Sequence, residues 1–115
     1  MLKTNDIQIN KIKIESTEIS VELEDTGVNP EQYIFFKDRL DSYKFYINSE
    51  YSIKSEIQYN KSSQLLSIAI DIIIPDKYLP NDPIKTNEII MDPVNTFQIF
   101  YDTQNEIYDR KYRNI

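Results

Sequence analysis

Cysteine and histidine are both absent, and Gly27 is the only glycine in 115 residues. Without thiols there is no disulfide framework and no thiolate ligand, and the redox compartment goes unmarked. The loss of histidine as well removes most zinc sites, the Ser-His and Cys-His nucleophile pairs and the commonest general base. A single glycine cannot build a P-loop or a dinucleotide fingerprint, whose backbones must approach phosphates closely. A metal held by carboxylates alone stays open, but no EF-hand pattern is present. Long hydrophobic runs are missing too. The most apolar stretch, LLSIAIDIII, is short and broken by Asp71, and the start, MLKTNDIQIN, lacks the apolar region of a signal peptide. The expectation is a cytoplasmic protein with no membrane span or anchor. Only Asp, Glu, Lys, Tyr and Ser remain for chemistry, and no catalytic, cofactor-binding or metal residue is expected.

What is present is one domain's worth of chain, residues 1–115, with 40% apolar residues, nine tyrosines and five phenylalanines. That is too hydrophobic for a disordered chain. Charged residues make up 28% and the net charge is −6, so phosphate backbones are repelled and nucleic acid is not an expected partner.

Alternation organises most of the sequence. Ile7 and Ile9, then Ile12 and Ile14, then Ile19, Val21 and Leu23 repeat at period two, with parity slips near Asn10-Lys11 and Ser16-Thr17. One long strand with a bulge or two, or a bend, accounts for this. DTGVNPEQ then supplies turn chemistry. QYIFFKDRL reads as one helical turn or an irregular stretch, and the odd positions from Tyr43 to Tyr59 predict a strand over 43–59, interrupted near Asn48. The polar turn NKSS at 60–63 joins it to a second run, Leu66 to Ile74, that Pro75 ends, which predicts a β-hairpin. Asp71 falls on the face opposite this apolar row, with Ser67 and Ala69, and reads as a solvated position. The stretch PDKYLPNDPIKTNEIIMDP holds four prolines, and its residues 75–91 read as a loop with one short strand at Ile89–Met91. Asp92-Pro93 reads as a helix start, followed by Val94, Phe97, Phe100, Tyr101, Ile107, Tyr108 and Tyr112 near helical spacing and by Arg110, Lys111 and Arg113 at the C-terminus. The fold class expected is α+β, an antiparallel sheet of about four strands with a C-terminal helix. Its edge strands need cover, which oligomerisation would supply.

In ESTEISVELED, residues 15–25, strand alternation sends Ile19, Val21 and Leu23 to a core and Glu18, Glu22 and Glu24 to the other face. Same-face neighbours two positions along a strand lie roughly 7 Å apart, and three carboxylates in one such row need solvent or a cationic partner. They are the candidate partner-docking residues.

Four segments carry a resemblance: INKIKIESTEISVE (9–22), with Lys13-Ile14 and then Glu18, Ile19, Ser20, Val21 and Glu22; FFKDRLDSYKFYIN (35–48), with Lys37, Asp38 and Lys44; the hairpin SIKSEIQYNKSSQLLSIAIDIII; and DPVNTFQIF (92–100). In this order they resemble the first strand, the next segment, the next two strands and the last helix of the SecB protein-export chaperone family. They cover about two thirds of the chain. The interval where that family has a further strand and a long helix, which helps form its client groove and tetramer contacts, is here only residues 75–91. The resemblance implies an ATP-independent holdase for unfolded polypeptides, a homo-oligomer without cofactor, that docks the SecA motor through acidic residues matching Glu18 and Glu22. Glu24 joins them by strand parity alone. The competing expectation is a small acidic inhibitor or immunity protein from a mobile element that blocks the basic surface of one folded target.

Overall fold

Residues 16–25 and 65–75 bury every second side chain along their whole length, and that alternation decides how the chain is layered. The computed structural model describes residues 2–4, 8–12 and 16–113, with side chains from 16 to 112. In chain order the strands are β1 (Leu2–Thr4), β2 (Gln8–Ile12), β3 (Ser16–Asp25), β4 (Ser52–Asn60) and β5 (Leu65–Pro75). Helix α1 (Pro30–Arg39) runs into a 3-10 segment (Leu40–Tyr46) between β3 and β4; α2 (Pro83–Tyr108) follows β5. The fold is α+β with an antiparallel sheet and a C-terminal helix.

Three long strands carry the sheet in the order β3-β5-β4, and β1 and β2 both pair with the remaining edge of β3. The expectation of about four strands thus resolves into three long strands and two short segments sharing one edge. The predicted slip at Asn10-Lys11 is found, as a register shift between Ile9 and Lys11. The second slip has another cause: Ser16 begins a new strand antiparallel to β2, so β2 and β3 are two neighbouring strands and not one. Ile7, Lys13 and Ile14 lie outside the described residues.

The β4–β5 hairpin forms as expected around its polar turn, with the Asn60 side chain accepting from the Ser63 amide at 3.1 Å. One face of the sheet gathers Ile19, Val21, Leu23, Leu66, Ile68, Ile70, Ile72 and Ile74, all essentially buried under the helical layer.

That layer departs most from the sequence reading. Residues 43–46 belong to the 3-10 segment, and the strand begins only at Ser52. Asn29-Pro30, read above as turn chemistry, is a helix start: the Asn29 side chain accepts from the Gln32 amide at 2.8 Å and Pro30 takes the first turn, where its missing N–H costs nothing. Gly27, at φ +71°, makes the turn that leaves β3 for this cap.

Asp82-Pro83 starts α2 in the same way, the Asp82 side chain accepting from the Ile84 amide at 3.0 Å. The helix then continues through Ile89–Met91, expected as a strand, and through Asp92-Pro93, expected as its cap. Pro93 is tolerated inside it because the stripe Ile90, Val94, Phe97, Tyr101, Gln104 and Tyr108 keeps helical phase against the core on both sides of the proline. The cations Arg110 and Lys111 fall past the end of α2, in a π-helical turn over Asp109–Arg113. At 26 residues α2 is about 39 Å long. No described helix is long and apolar enough to cross a membrane.

Two buried hydroxyls fix this helix. Tyr101 donates to Asp25 Oδ2 at 2.7 Å, tying α2 to the end of β3, and Tyr43 donates to the Pro93 carbonyl at 2.6 Å, tying the 3-10 segment to α2. Burial raises the pKa of both phenols, Asp92 adding to the effect at Tyr43 and the bond to Asp25 at Tyr101. Raised folded values mean that their contribution to stability is complete below the unfolded value near 10 and is lost as pH climbs beyond it. Urea midpoints should therefore fall above about pH 10, less steeply once Tyr43 and Tyr101 are both Phe.

The layering makes a second prediction. Ile72→Ala, at a fully buried site, should cost about 2–5 kcal/mol in urea unfolding. Ile99→Ala, on the 64% exposed outer side of α2, should stay within about 0.5 kcal/mol.

Candidate functional site: the acidic face of the sheet

Since both helices lie on the Ile-rich side, the opposite face of the three long strands is left to its polar residues. The register sets them in rows: Glu18–Ile73–Ser52, Ser20–Asp71–Lys54, Glu22–Ala69–Glu56 and Glu24–Ser67–Gln58. All three sequence-predicted docking residues stand on this face, Glu22 exposed and Glu18 and Glu24 half-buried. Asp71 is there too, as expected, and accepts from the Ser20 hydroxyl at 2.7 Å.

Glu56 was not among the candidates. Hairpin parity could have found it, because the NKSS turn that pairs Ile57 with Ile68 also pairs Glu56 with Ala69. The three strands thus show five carboxylates, Glu18, Glu22, Glu24, Glu56 and Asp71, and one cation, Lys54.

The rows differ in electrostatic character. Lys54 shares a row with Asp71. In Glu22–Ala69–Glu56 two carboxylates flank a methyl group, with strand spacings of about 4.8 Å on either side. Glu22, Glu24, Glu56 and Gln58 wall a shallow hollow of about 130 Å³ floored by Ser67 and Ala69. A lysine or arginine side chain laid over Ala69 would reach both flanking carboxylates. Among the described residues no group of three or more acidic side chains is arranged to hold a metal ion.

The helical side has a different surface. All seven exposed large apolar side chains among the described residues are helical: Ile34, Phe45, Tyr46, Ile84, Ile99, Ile107 and Tyr112. Tyr46, Ile99 and Phe100 edge a small apolar hollow of about 80 Å³. Ile34, Phe35, Tyr108 and Tyr112 line a larger one of about 270 Å³ between α1 and the end of α2, with Glu31 and Asp38 also on its walls.

Comparison of the chain with protein-family models, with curated proteins and with solved structures found no match.

The acid rows also predict an energetic signature. Glu22→Gln with Glu24→Gln should raise the urea midpoint at low salt by relieving repulsion along β3. At about 1 M NaCl, where charges are screened beyond roughly 3 Å, the gain should vanish.

Proposed function

We propose that this chain is a non-enzymatic, ATP-independent SecB-like chaperone of the cytoplasm. It holds unfolded polypeptide on its helical side and docks a basic partner on its acidic sheet face. The observation that carries the reading is the division of the surface: exposed large apolar groups on the helical elements, a concentration of carboxylates on the sheet. Unfolded chains offer apolar side chains without order, and in this reading they are met by exposed groups such as Phe45, at 78% exposure, and by the hollow beside Tyr108 and Tyr112. The sheet face presents fixed charges and suits one folded basic surface, for which the resemblance to the SecB family suggests the SecA motor.

Residues 83–91, read above as part of a shortened interval, form the first turns of a single long helix, and Ile84 is exposed there. The chain therefore offers a continuous helix where the interval had been read as loop.

A second reading is favoured by the hollow over Ala69, whose flanking carboxylates suit a single cationic side chain: an inhibitor or immunity protein that blocks one folded, basic target. Client range separates the two. Diluting several unrelated unfolded proteins into buffer with this chain and no ATP should suppress light scattering at near-stoichiometric ratios. Suppression of none of them would remove the chaperone reading and leave the single-target one. Glu18→Lys with Glu22→Lys should preserve folding and client holding while weakening a basic partner; unchanged affinity would exclude this face as the dock.

A further inference from the structure

Strand β4 lies at the edge of the sheet: among the described residues it pairs only with β5, and none of its side chains is fully buried. With the residue before it, its sequence reads Tyr51-Ser52-Ile53-Lys54-Ser55-Glu56-Ile57-Gln58-Tyr59. Read outward from Ser55, the two arms match: lysine answers glutamate, isoleucine answers isoleucine, serine answers glutamine and tyrosine answers tyrosine. An antiparallel strand pair with twofold symmetry brings such arms together, because each residue before the centre faces one after it.

We infer that β4 pairs antiparallel with β4 of a second copy of this chain, about a twofold axis through Ser55. In that register Lys54 of each copy faces Glu56 of the other on the outer side of the sheet. Ile53 faces Ile57 of the second copy on the inner side, and Tyr51 faces its Tyr59. Neither Lys54 nor Glu56 is engaged in a salt bridge among the described residues. Ile53 and Ile57 are only half-buried, so both have apolar surface left to cover. At the axis the small Ser55 side chain leaves a hollow of about 200 Å³ beside Leu40, Tyr43 and Ile70, with room for the inner-face residues of an added strand. A shift of one residue, centring the axis on Glu56, would set two glutamates against each other and lysine against glutamine, so charge selects the register.

This pairing is independent of the chaperone reading and has a consequence for the acidic face. It joins two sheets in the order β3-β5-β4-β4-β5-β3. Lys54 and Glu56 neutralise each other at the centre, and the Glu18, Glu22 and Glu24 strips of the two copies remain about 24 Å apart.

The test is a charge swap read by sedimentation equilibrium. The unaltered chain should be a dimer. Lys54→Glu and Glu56→Lys should each raise the dissociation constant about 10-fold or more, by opposing like charges twice. Mixing the two single variants, or combining both changes in one chain, should restore the dimer, a rescue that general misfolding would not give. As a second readout, Ser55→Cys supplies the only thiol in the chain, and its directly opposed Cα atoms, roughly 4.5–5.5 Å apart, fall within disulfide range. Mild oxidation should link it as a dimer, while Lys61→Cys, outside the paired segment, should not link. A chain that stays monomeric at about 100 µM, a dimer indifferent to both single changes, or failure of the swap to rescue would each overturn the proposal.

Discussion

The pairing of β3 with β5 is the constraint on which the rest of the structure depends. Ten residues of β3 lie in unbroken register with β5, from Ser16 opposite Pro75 to Asp25 opposite Leu66. Because side chains alternate at period two, one register commits Ile19 of β3 and Ile68, Ile70, Ile72 and Ile74 of β5 to a single face, and every glutamate of β3, with Ile73, to the other. A slip of one residue would bury Glu18, Glu22 and Glu24 and expose Ile19, Val21 and Leu23. The core and the acidic face are therefore two results of one pairing.

The helical layer completes the core by a few specific attachments. The aromatic stripe of α2 lies over the isoleucines, Phe36 meets the Tyr101 ring edge-on at 4.6 Å between centroids, and Tyr43 meets Phe97 at 5.1 Å. Asp25 continues the inner-face parity of β3 and is an acid among apolar neighbours. It is accommodated because the Tyr101 hydroxyl reaches it at the point where the strand ends. With both helices on one side, the outer face of the three long strands is left uncovered by any described helix, and the proposed division into two unlike binding surfaces rests on this asymmetry.

The β elements were legible to the extent that they rest on alternation. Leu66 to Ile74, the NKSS turn and the outward row of glutamates follow from period two, and so does the position of Asp71. The helices were less legible, for identifiable reasons. Asn29-Pro30 and Asp82-Pro83 carry the same cap signature as Asp92-Pro93, and proline's reputation as a breaker favoured the last of these over the true start ten residues earlier. Tyr43 and Phe45 fit a strand by spacing alone; tertiary packing against Phe97 and the bond to Pro93 hold that segment as a 3-10 helix instead. The acidic site was legible along β3 but not across strands, because Glu56 joins it only through the hairpin register.

The central claim is that the two surfaces have separate tasks, and the most direct measurement is site-resolved NMR of the chain with an unfolded client carrying no net positive charge. The account predicts that the client perturbs signals of Ile34, Phe45, Tyr46, Ile99 and Tyr112 on the helical side, while the backbone amides of Glu18, Glu22 and Glu24 stay in place. Perturbation centred on the β3 glutamates, with the helical side silent, would contradict it.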